Sequence, residues 1–571
     1  MKVMKQIRYY LLALLTVMML VGCTEDNSMS EFKYPTEEQE GSVDEVLKAL
    51  KAVPGIYNVQ YAPEGVDIDE KNDDKKASSD GKNEAKCYSF SFEQPVDHHN
   101  PQLGTYFQRC WLKFKGVDKN VVVLTHGYAL SNYLTDMAKQ LDANELHIEH
   151  RYFGKSLPEP FEDLKMTYLD ADQQARDIHN IVSALKQHFF KTGKWISTGT
   201  SKDGITTALQ AYYSDMNGWK DFNVYVPFCA PFMTGTTYTD GTFSCNDTNA
   251  SAYMREVCGN GYPAGSKEAI AYERLRKIPE LICTNQYIRE AAIRACYNVY
   301  PDEFARVLEQ YNNKSALSTG DKTKDETAYA VHIYYSSLFN KFSNVAFYTW
   351  AGIVPDLTPL INNTATVEQW SFFMQFITWD DEKLGEYLEK INKPKKAPAT
   401  TRADEGSTPI NTELSEEQWA FLRFRRETPS APYRIQAFKE LGYAEDNYDF
   451  VNGTGFLTAA ECERVNYQFT NQYLYSQSAK SGLYKQDRGQ LMTNFRKWVE
   501  TERTQPIIFV YAYNDPWTGA GIGDDTANNN PMIERVVDGT AIHNDYFLHR
   551  SFYTIESEKM IVSALNKFLG N

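Results

Sequence analysis

Short, almost wholly apolar runs alternate with helical spacings along the first 230 residues. Residues 106–114 alternate like a strand. Residues 120–126, NVVVLTH, are an apolar run ended by His-Gly, which predicts a buried parallel strand. Residues 145–149 (ELHIE), 194–198 (KWIST) and 223–226 (NVYV) predict further strands. Between them, 170–190 carries Ala171, Ala175, Ile178, Ile181, Val182 and Leu185 on one helical side, and 205–213 is also helical in pattern. Strand–helix alternation argues for a parallel sheet. From about residue 233 the alternation stops, and 248–390 and 413–500 are rich in helix formers and aromatics. An apolar strand returns at 506–514, and a last helix is predicted over 556–569. Residues 66–86 and 392–412 are polar and aperiodic, and read as surface linkers. The pattern predicts one α/β core, residues 87–232 plus 504–571, interrupted by a mainly helical insertion over 233–503.

The start of the chain has a different character. Lys2, Lys5 and Arg8 precede an apolar stretch over 9–22, which is too short for a stable transmembrane helix and fits a secretory leader. Leu20-Val21-Gly22-Cys23 resembles the lipobox of bacterial lipoproteins, in which the Cys is acylated after cleavage. Residues 1–22 are therefore read as a signal peptide, Cys23 as the lipidation site, and 23–86 as a tether and N-terminal region. The absence of Asp directly after Cys23 favours the outer membrane by the same resemblance. Export implies an oxidising compartment, where cysteines pair. Cys245, Cys258, Cys283 and Cys296 cluster in sequence and are the expected disulfide formers.

Composition narrows the function. The chain has 571 residues, 42% hydrophobic and 23% charged, in the range of folded soluble proteins. Its length alone suggests about three to four domains; the pattern above reduces this to a core and an insertion. A net charge of −16 makes nucleic acid an improbable partner, because such binding needs a basic footprint. No HExxH or paired CxxC spacing is present, and neither a metal ion nor a cofactor is implied.

The chemistry lies at the strand ends. KWIST runs into Gly199-Thr200-Ser201-Lys202-Asp203-Gly204 and then a helix, the pattern of an α/β-hydrolase nucleophile elbow. A serine hydroxyl needs a base to become a useful nucleophile. Asp515 follows the 506–514 strand, and His543 follows 536–541. The order Ser, Asp, His is that of α/β-hydrolases. Ser201 is thus the expected nucleophile, His543 the base and Asp515 the acid that orients it, in preference to the nearby His549, the distant His126, or a Ser–Lys pairing through Lys202. The expected oxyanion donors are the backbone amides of Lys202 and of Tyr128, in the loop after NVVVLTH. Position 203 departs from the usual GxSxG pattern. Its carboxylate is expected to crowd the elbow, add negative charge near Ser201, or pair with Lys202.

Several longer motifs agree with a known group. Phe92-Glu-Gln-Pro-Val-Asp-His98, Asn100-Pro101, Gly104-Thr105, Gln108-Arg109 and Glu149-His-Arg-Tyr-Phe-Gly-Lys-Ser156 resemble blocks of secreted bacterial tripeptidyl aminopeptidases. So do the elbow, the Asp515-Pro-Trp and His543 blocks, and Gln436-Ala-Phe-Lys-Glu440-Leu-Gly-Tyr443. Prolyl carboxypeptidase is a more distant likeness. The resemblance implies a serine exopeptidase with a helical cap over its triad, acting on peptides and releasing short fragments from a free N-terminus. It also implies a cap acid that holds the substrate's amino group, for which Glu440 and Glu461 are candidates. Glu149, His150 and Arg151 are read as buried bracing residues, and His98 and His99 as loop residues rather than metal ligands. A carboxypeptidase, an esterase and a silent peptide-binding lipoprotein are the alternatives on the same scaffold.

Overall fold

The computed structural model describes residues 44–65, 86–158, 166–233, 236–237, 243–244, 264–344, 356–378, 431–441, 448, 451–469, 490–501, 505–513, 515–541, 543 and 554–570. The leader over 1–22, Cys23, Cys245, Cys258, His549 and the 392–412 linker lie outside the described residues.

Nine strands form one sheet: β1 (Ile56–Tyr61), β2 (Lys86–Pro95), β3 (Thr105–Phe114), β4 (Val121–Thr125), β5 (Asn144–Ile148), β6 (Trp195–Thr200), β7 (Val224–Phe228), β10 (Ile507–Ala512) and β11 (Ile533–Asp538). A small separate hairpin comprises β8 (Thr236–Thr237) and β9 (Phe243–Ser244). The sheet order is β1-β2-β3-β5-β4-β6-β7-β10-β11. The pairs β1–β2, β2–β3 and β3–β5 are antiparallel, and the rest are parallel. Strands β4, β5, β6, β7 and β10 are buried nearly from end to end, as expected when helices cover both faces.

Side-chain alternation assigns those faces. Ile507, Phe509 and Tyr511 of β10 join one core, with Val121, Val123, Trp195 and Tyr225. Ile508, Val510 and Ala512 join the other, with Val122, Ile196, Val224 and Val226. The first face is covered by helices Ala171–His188, Lys202–Asn217 and Gln490–Thr501, the second by Asp136–Gln140 and Ile555–Leu569. Local chemistry fixes several helix ends. Asp170 accepts from the Gln173 amide at the N-terminus of Ala171–His188, and Gly218 closes Lys202–Asn217 in the left-handed conformation. The result is an α/β-hydrolase core.

Between β7 and β10, which are neighbours in the sheet, the chain builds a separate helical core. Helices Lys267–Thr284, Gln286–Val299, Pro301–Asn312, Lys322–Asn344, Val367–Thr378 and Ala459–Asn466 contribute to it. Two segments at the C-terminal end of the insertion pack elsewhere. Met492, Phe495 and Val499 of Gln490–Thr501, and Ala437 and Leu441 of the π-helical turn Ala437–Leu441, join the first α/β core. The N-terminal region is likewise partly structured, since helix Glu45–Lys51 packs on β1 at the sheet edge. Asp44 ties it down by accepting from the Tyr88 hydroxyl at 2.9 Å.

Among the described residues, no helix is long and apolar enough to cross a membrane. The cysteine expectation needs correction. Cys283 and Cys296 lie on successive insertion helices and are buried thiols, not bonded to each other. Burial pushes both thiols up, to about 11 and about 12. Cys110 and Cys462 are also buried thiols.

Candidate active site

The turn after β6 is tight for visible reasons. A Cβ on Gly199 would lie 2.5 Å from the Asp203 carbonyl carbon, and one on Gly204 2.7 Å from the Phe228 oxygen. Ser201 sits between them at φ 58°, a conformation an L-residue adopts only when its surroundings impose it. Its amide donates to the Phe228 carbonyl at 2.8 Å, so the neighbouring strand helps hold the turn.

The two partners arrive from the far end of the chain. Asp515, fully buried just beyond β10, accepts the Trp517 amide on Oδ1 at 3.0 Å. Its Oδ2 lies 2.7 Å from His543 Nδ1. An ionised carboxylate only accepts, so Nδ1 carries the proton and donates it. That leaves Nε2 as an acceptor, 2.8 Å from Ser201 Oγ. The structure therefore brings Ser201, His543 and Asp515 into one hydrogen-bonded chain, with His543 nearly buried. This is the geometry in which a hydroxyl can lose its proton to an imidazole as it attacks.

Lys202 is the first residue of its helix, so its amide has no intrahelical acceptor and points out of the positive helix end. Tyr128 lies in the loop after β4, and its carbonyl accepts from the His150 amide at 3.0 Å. The Tyr128 ring packs edge-on to Phe153 and to Tyr433 of the insertion. The Lys202 side chain is buried; its stem fills the space where a Cβ on Gly127 would fall, 2.7 Å from Cγ. Burial lowers its ammonium to about 7, although Asp203 and Glu440 pull the other way. A cavity of about 10 Å³ lies beside it, lined by His150, Gln174, Thr206 and Gln436 among others.

The two acids suggested for the substrate's amino group each have partners within the chain. Glu440 is buried near Lys202 and accepts from Gln436 Nε2 at 2.7 Å. Glu461 closes a capping box with Thr458 at the start of Ala459–Asn466 and pairs with Lys324 at 2.9 Å. One carboxylate thus faces a buried lysine, and the other accepts a helix N-terminal amide.

Glu149, His150 and Arg151 are buried, as expected of bracing residues. Glu149 accepts from the Leu130 amide at 2.8 Å and the Ser156 hydroxyl at 2.7 Å, so it braces the loop that carries Tyr128. Arg151 grips Asp177 through Nε and Nη2 at 2.7 and 2.8 Å. His98 and His99 are bound to Asp177 and Asp172, and no His, Cys, Asp and Glu grouping among the described residues has metal-site form.

The Asp203 carboxylate meets the loop after β4, while its charge also acts on the Lys202 ammonium. Its Oδ1 accepts the Gly127 amide at 2.6 Å, and its Oδ2 lies 3.5 Å from His126 Nδ1. His126 in turn lies 3.2 Å from His147 and 3.1 Å from the Ser131 hydroxyl. Nothing in the spacing of the sequence announces this contact.

Comparisons with known proteins agree with the part of the chain that holds the elbow. Residues 76–236 match the PS-10 peptidase S37 family. The chain is 39% identical over 132 residues to a prolyl tri/tetrapeptidyl aminopeptidase of Streptomyces mobaraensis, covering 22% of this chain and 27% of that protein. It is 28% identical over 166 residues to the serine protease vicPb of Bipolaris victoriae, covering 23% and 31%. The matches thus span about a third or less of these relatives. The resemblance to the tripeptidyl aminopeptidase group is borne out over this region. Among solved structures, the rice cell wall degrading esterase LipA of Xanthomonas oryzae aligns over 85% of this chain and 91% of its own, with 11% identity and a TM-score of 0.28.

Proposed function

We propose that this chain is a serine exopeptidase of the cell envelope that releases short peptides, chiefly tripeptides, from a free N-terminus. The observation that carries the reading is the hydrogen-bonded chain Ser201–His543–Asp515 at the ends of buried strands. In it, Ser201 Oγ attacks the scissile carbonyl carbon while His543 Nε2 takes the hydroxyl proton. The carbonyl oxygen becomes an oxyanion, met by the Lys202 and Tyr128 amides. The intermediate collapses, the C–N bond breaks, and His543 returns the proton to the departing amine. Water then attacks the acyl-enzyme with His543 again as base, freeing the short N-terminal fragment. Asp515 stays ionised throughout and steadies the imidazolium.

The insertion supports action at a chain end. Trp517, two residues beyond Asp515, packs against both the α/β core and the helical core. Tyr433 meets the Tyr128 ring. A helical roof pressed this close to the triad admits an extended terminus more readily than a folded loop. The family match and the Streptomyces relative point the same way. The test is mass spectrometry of products from a peptide pool offered with free and with acetylated N-termini. Tripeptides released only from the free set are expected. Cleavage from the C-terminus, equal cleavage of blocked peptides, or binding without products would overturn the reading.

The envelope location rests on Leu20-Val21-Gly22-Cys23. In this proposal the acylated Cys23 holds the enzyme at the outer membrane, each buried CH₂ contributing about 0.8 kcal/mol. Cys23→Ser should abolish incorporation of labelled fatty acid and shift the protein to the soluble fraction; a variant that still pellets with membranes and carries label refutes the anchor.

A further inference from the structure

We propose that Asp203 is a positioning residue that sets the oxyanion loop against the nucleophile elbow. The inference rests on the serine-hydrolase reading above and concerns how its second backbone donor is held. Asp203 stands two residues after Ser201, in the first turn of Lys202–Asn217, where a negative charge is favoured by the helix dipole. Its Oδ1 accepts the Gly127 amide at 2.6 Å, a charge-assisted bond of the strong kind. The next residue is Tyr128. One side chain thus connects the helix that follows the nucleophile to the peptide beside the proposed donor.

The surroundings show why the grip matters. The loop has backbone anchors on either side: the His126 amide donates to Ile148 at 3.3 Å, and the Tyr128 carbonyl accepts from His150 at 3.0 Å. Between these anchors, Asp203 holds the Gly127 amide. Gly127 itself permits no side chain, because Lys202 and the Asp203 carboxylate occupy the space a Cβ would take. The second carboxylate oxygen faces His126 Nδ1 at 3.5 Å, so the acid is braced from the loop side as well. With Asp203 truncated, the Gly127 amide loses its acceptor and the peptide can turn. A displacement of about 1 Å in such a site costs on the order of 100-fold in rate, and loss of an oxyanion donor about 100- to 1,000-fold.

Two variants separate positioning from charge. Asp203→Gly removes the acceptor and the charge; Asp203→Asn keeps an acceptor oxygen and removes only the charge. The expected result is a fall in kcat of about 10- to 100-fold for Asp203→Gly with KM changed only a few-fold, and rescue to within a few-fold of the parent in Asp203→Asn. If the carboxylate merely burdens the oxyanion with negative charge, both variants will be faster than the parent, and the proposal falls. It also falls if Asp203→Asn is as slow as Asp203→Gly. Hydrogen exchange of a peptide spanning 126–130 supplies a readout independent of turnover. Faster exchange at Gly127 in Asp203→Gly, but not in Asp203→Asn, is expected; unchanged exchange in Asp203→Gly overturns the clamp. A Ser201→Ala control that retains turnover would instead refute the hydrolase reading, while the exchange experiment still decides the role of Asp203.

Discussion

Ser201→Ala is expected to lower peptide turnover by about six orders of magnitude and to abolish covalent labelling by a fluorophosphonate, with the folded state and peptide affinity retained. The magnitude follows from how a triad works as a unit: without the nucleophile, His543 and Asp515 have no reaction to assist, and only binding and oxyanion stabilisation remain. Ser201 is only partly buried, so loss of its hydroxyl opens no core cavity and should change the melting temperature little. This distinguishes the outcome from a general folding defect. The measurement is single-turnover kinetics with a cleavable tripeptidyl amide beside gel detection of the probe. Labelling or turnover that survives in the variant removes Ser201 from the mechanism.

Asp177→Ala is expected to destabilise the fold by about 3–5 kcal/mol, measured as a shift of the urea midpoint. Asp177 is fully buried and accepts from Arg151 twice, from the Tyr106 hydroxyl at 2.8 Å, and from His98 at 2.7 Å. Removing it strands a guanidinium with no exposed surface, and that uncompensated charge accounts for most of the loss. Burial alone would raise the Asp177 carboxyl, but Arg151 and His98 outweigh it and hold the group below the usual range. A depressed carboxyl contributes stability above its unfolded pKa of about 3.9, and that contribution is lost as the pH falls through the folded value. The variant should therefore unfold with a weaker acid dependence than the parent. A change below about 1 kcal/mol would mean that the network adds little to stability.

The reach of the sequence can be judged from the same residues. The central strands were legible because both faces are covered, which demands unbroken apolar runs such as Val121–Thr125 and Ile507–Ala512. Ser201 and Asp515 were legible because each follows such a strand, His543 because it follows 536–541 in the chain order Ser, Asp, His, and the folded chain brings the three within hydrogen-bond distance. Edge strand β1 was not, since only Ile56 and Val59 of its six residues are buried and it has no apolar run. The sequence does not show that Gln490–Thr501 packs on the α/β core, because a helical stripe says nothing about which core receives it. Glu461 looked available because a capping-box acid and a ligand-binding acid share one residue type; only its bonds to Thr458 and Lys324 tell them apart. The Asp203 contact spans 76 residues and depends on a backbone amide, which no side-chain pattern encodes.

The placement of the insertion also bears on synthesis. β7 and β10 are sheet neighbours, yet the whole helical insertion lies between them in sequence. Long-range pairings of this kind close late, after the loop between them has been made. Until then the growing chain exposes the elbow without its acid or base, because Asp515 and His543 both follow the insertion in sequence. A ribosome-bound or truncated product ending before His543 carries the serine and no means of activating it. On the proposed reading, peptidase chemistry becomes possible only after the insertion and the two strands that follow it have been made.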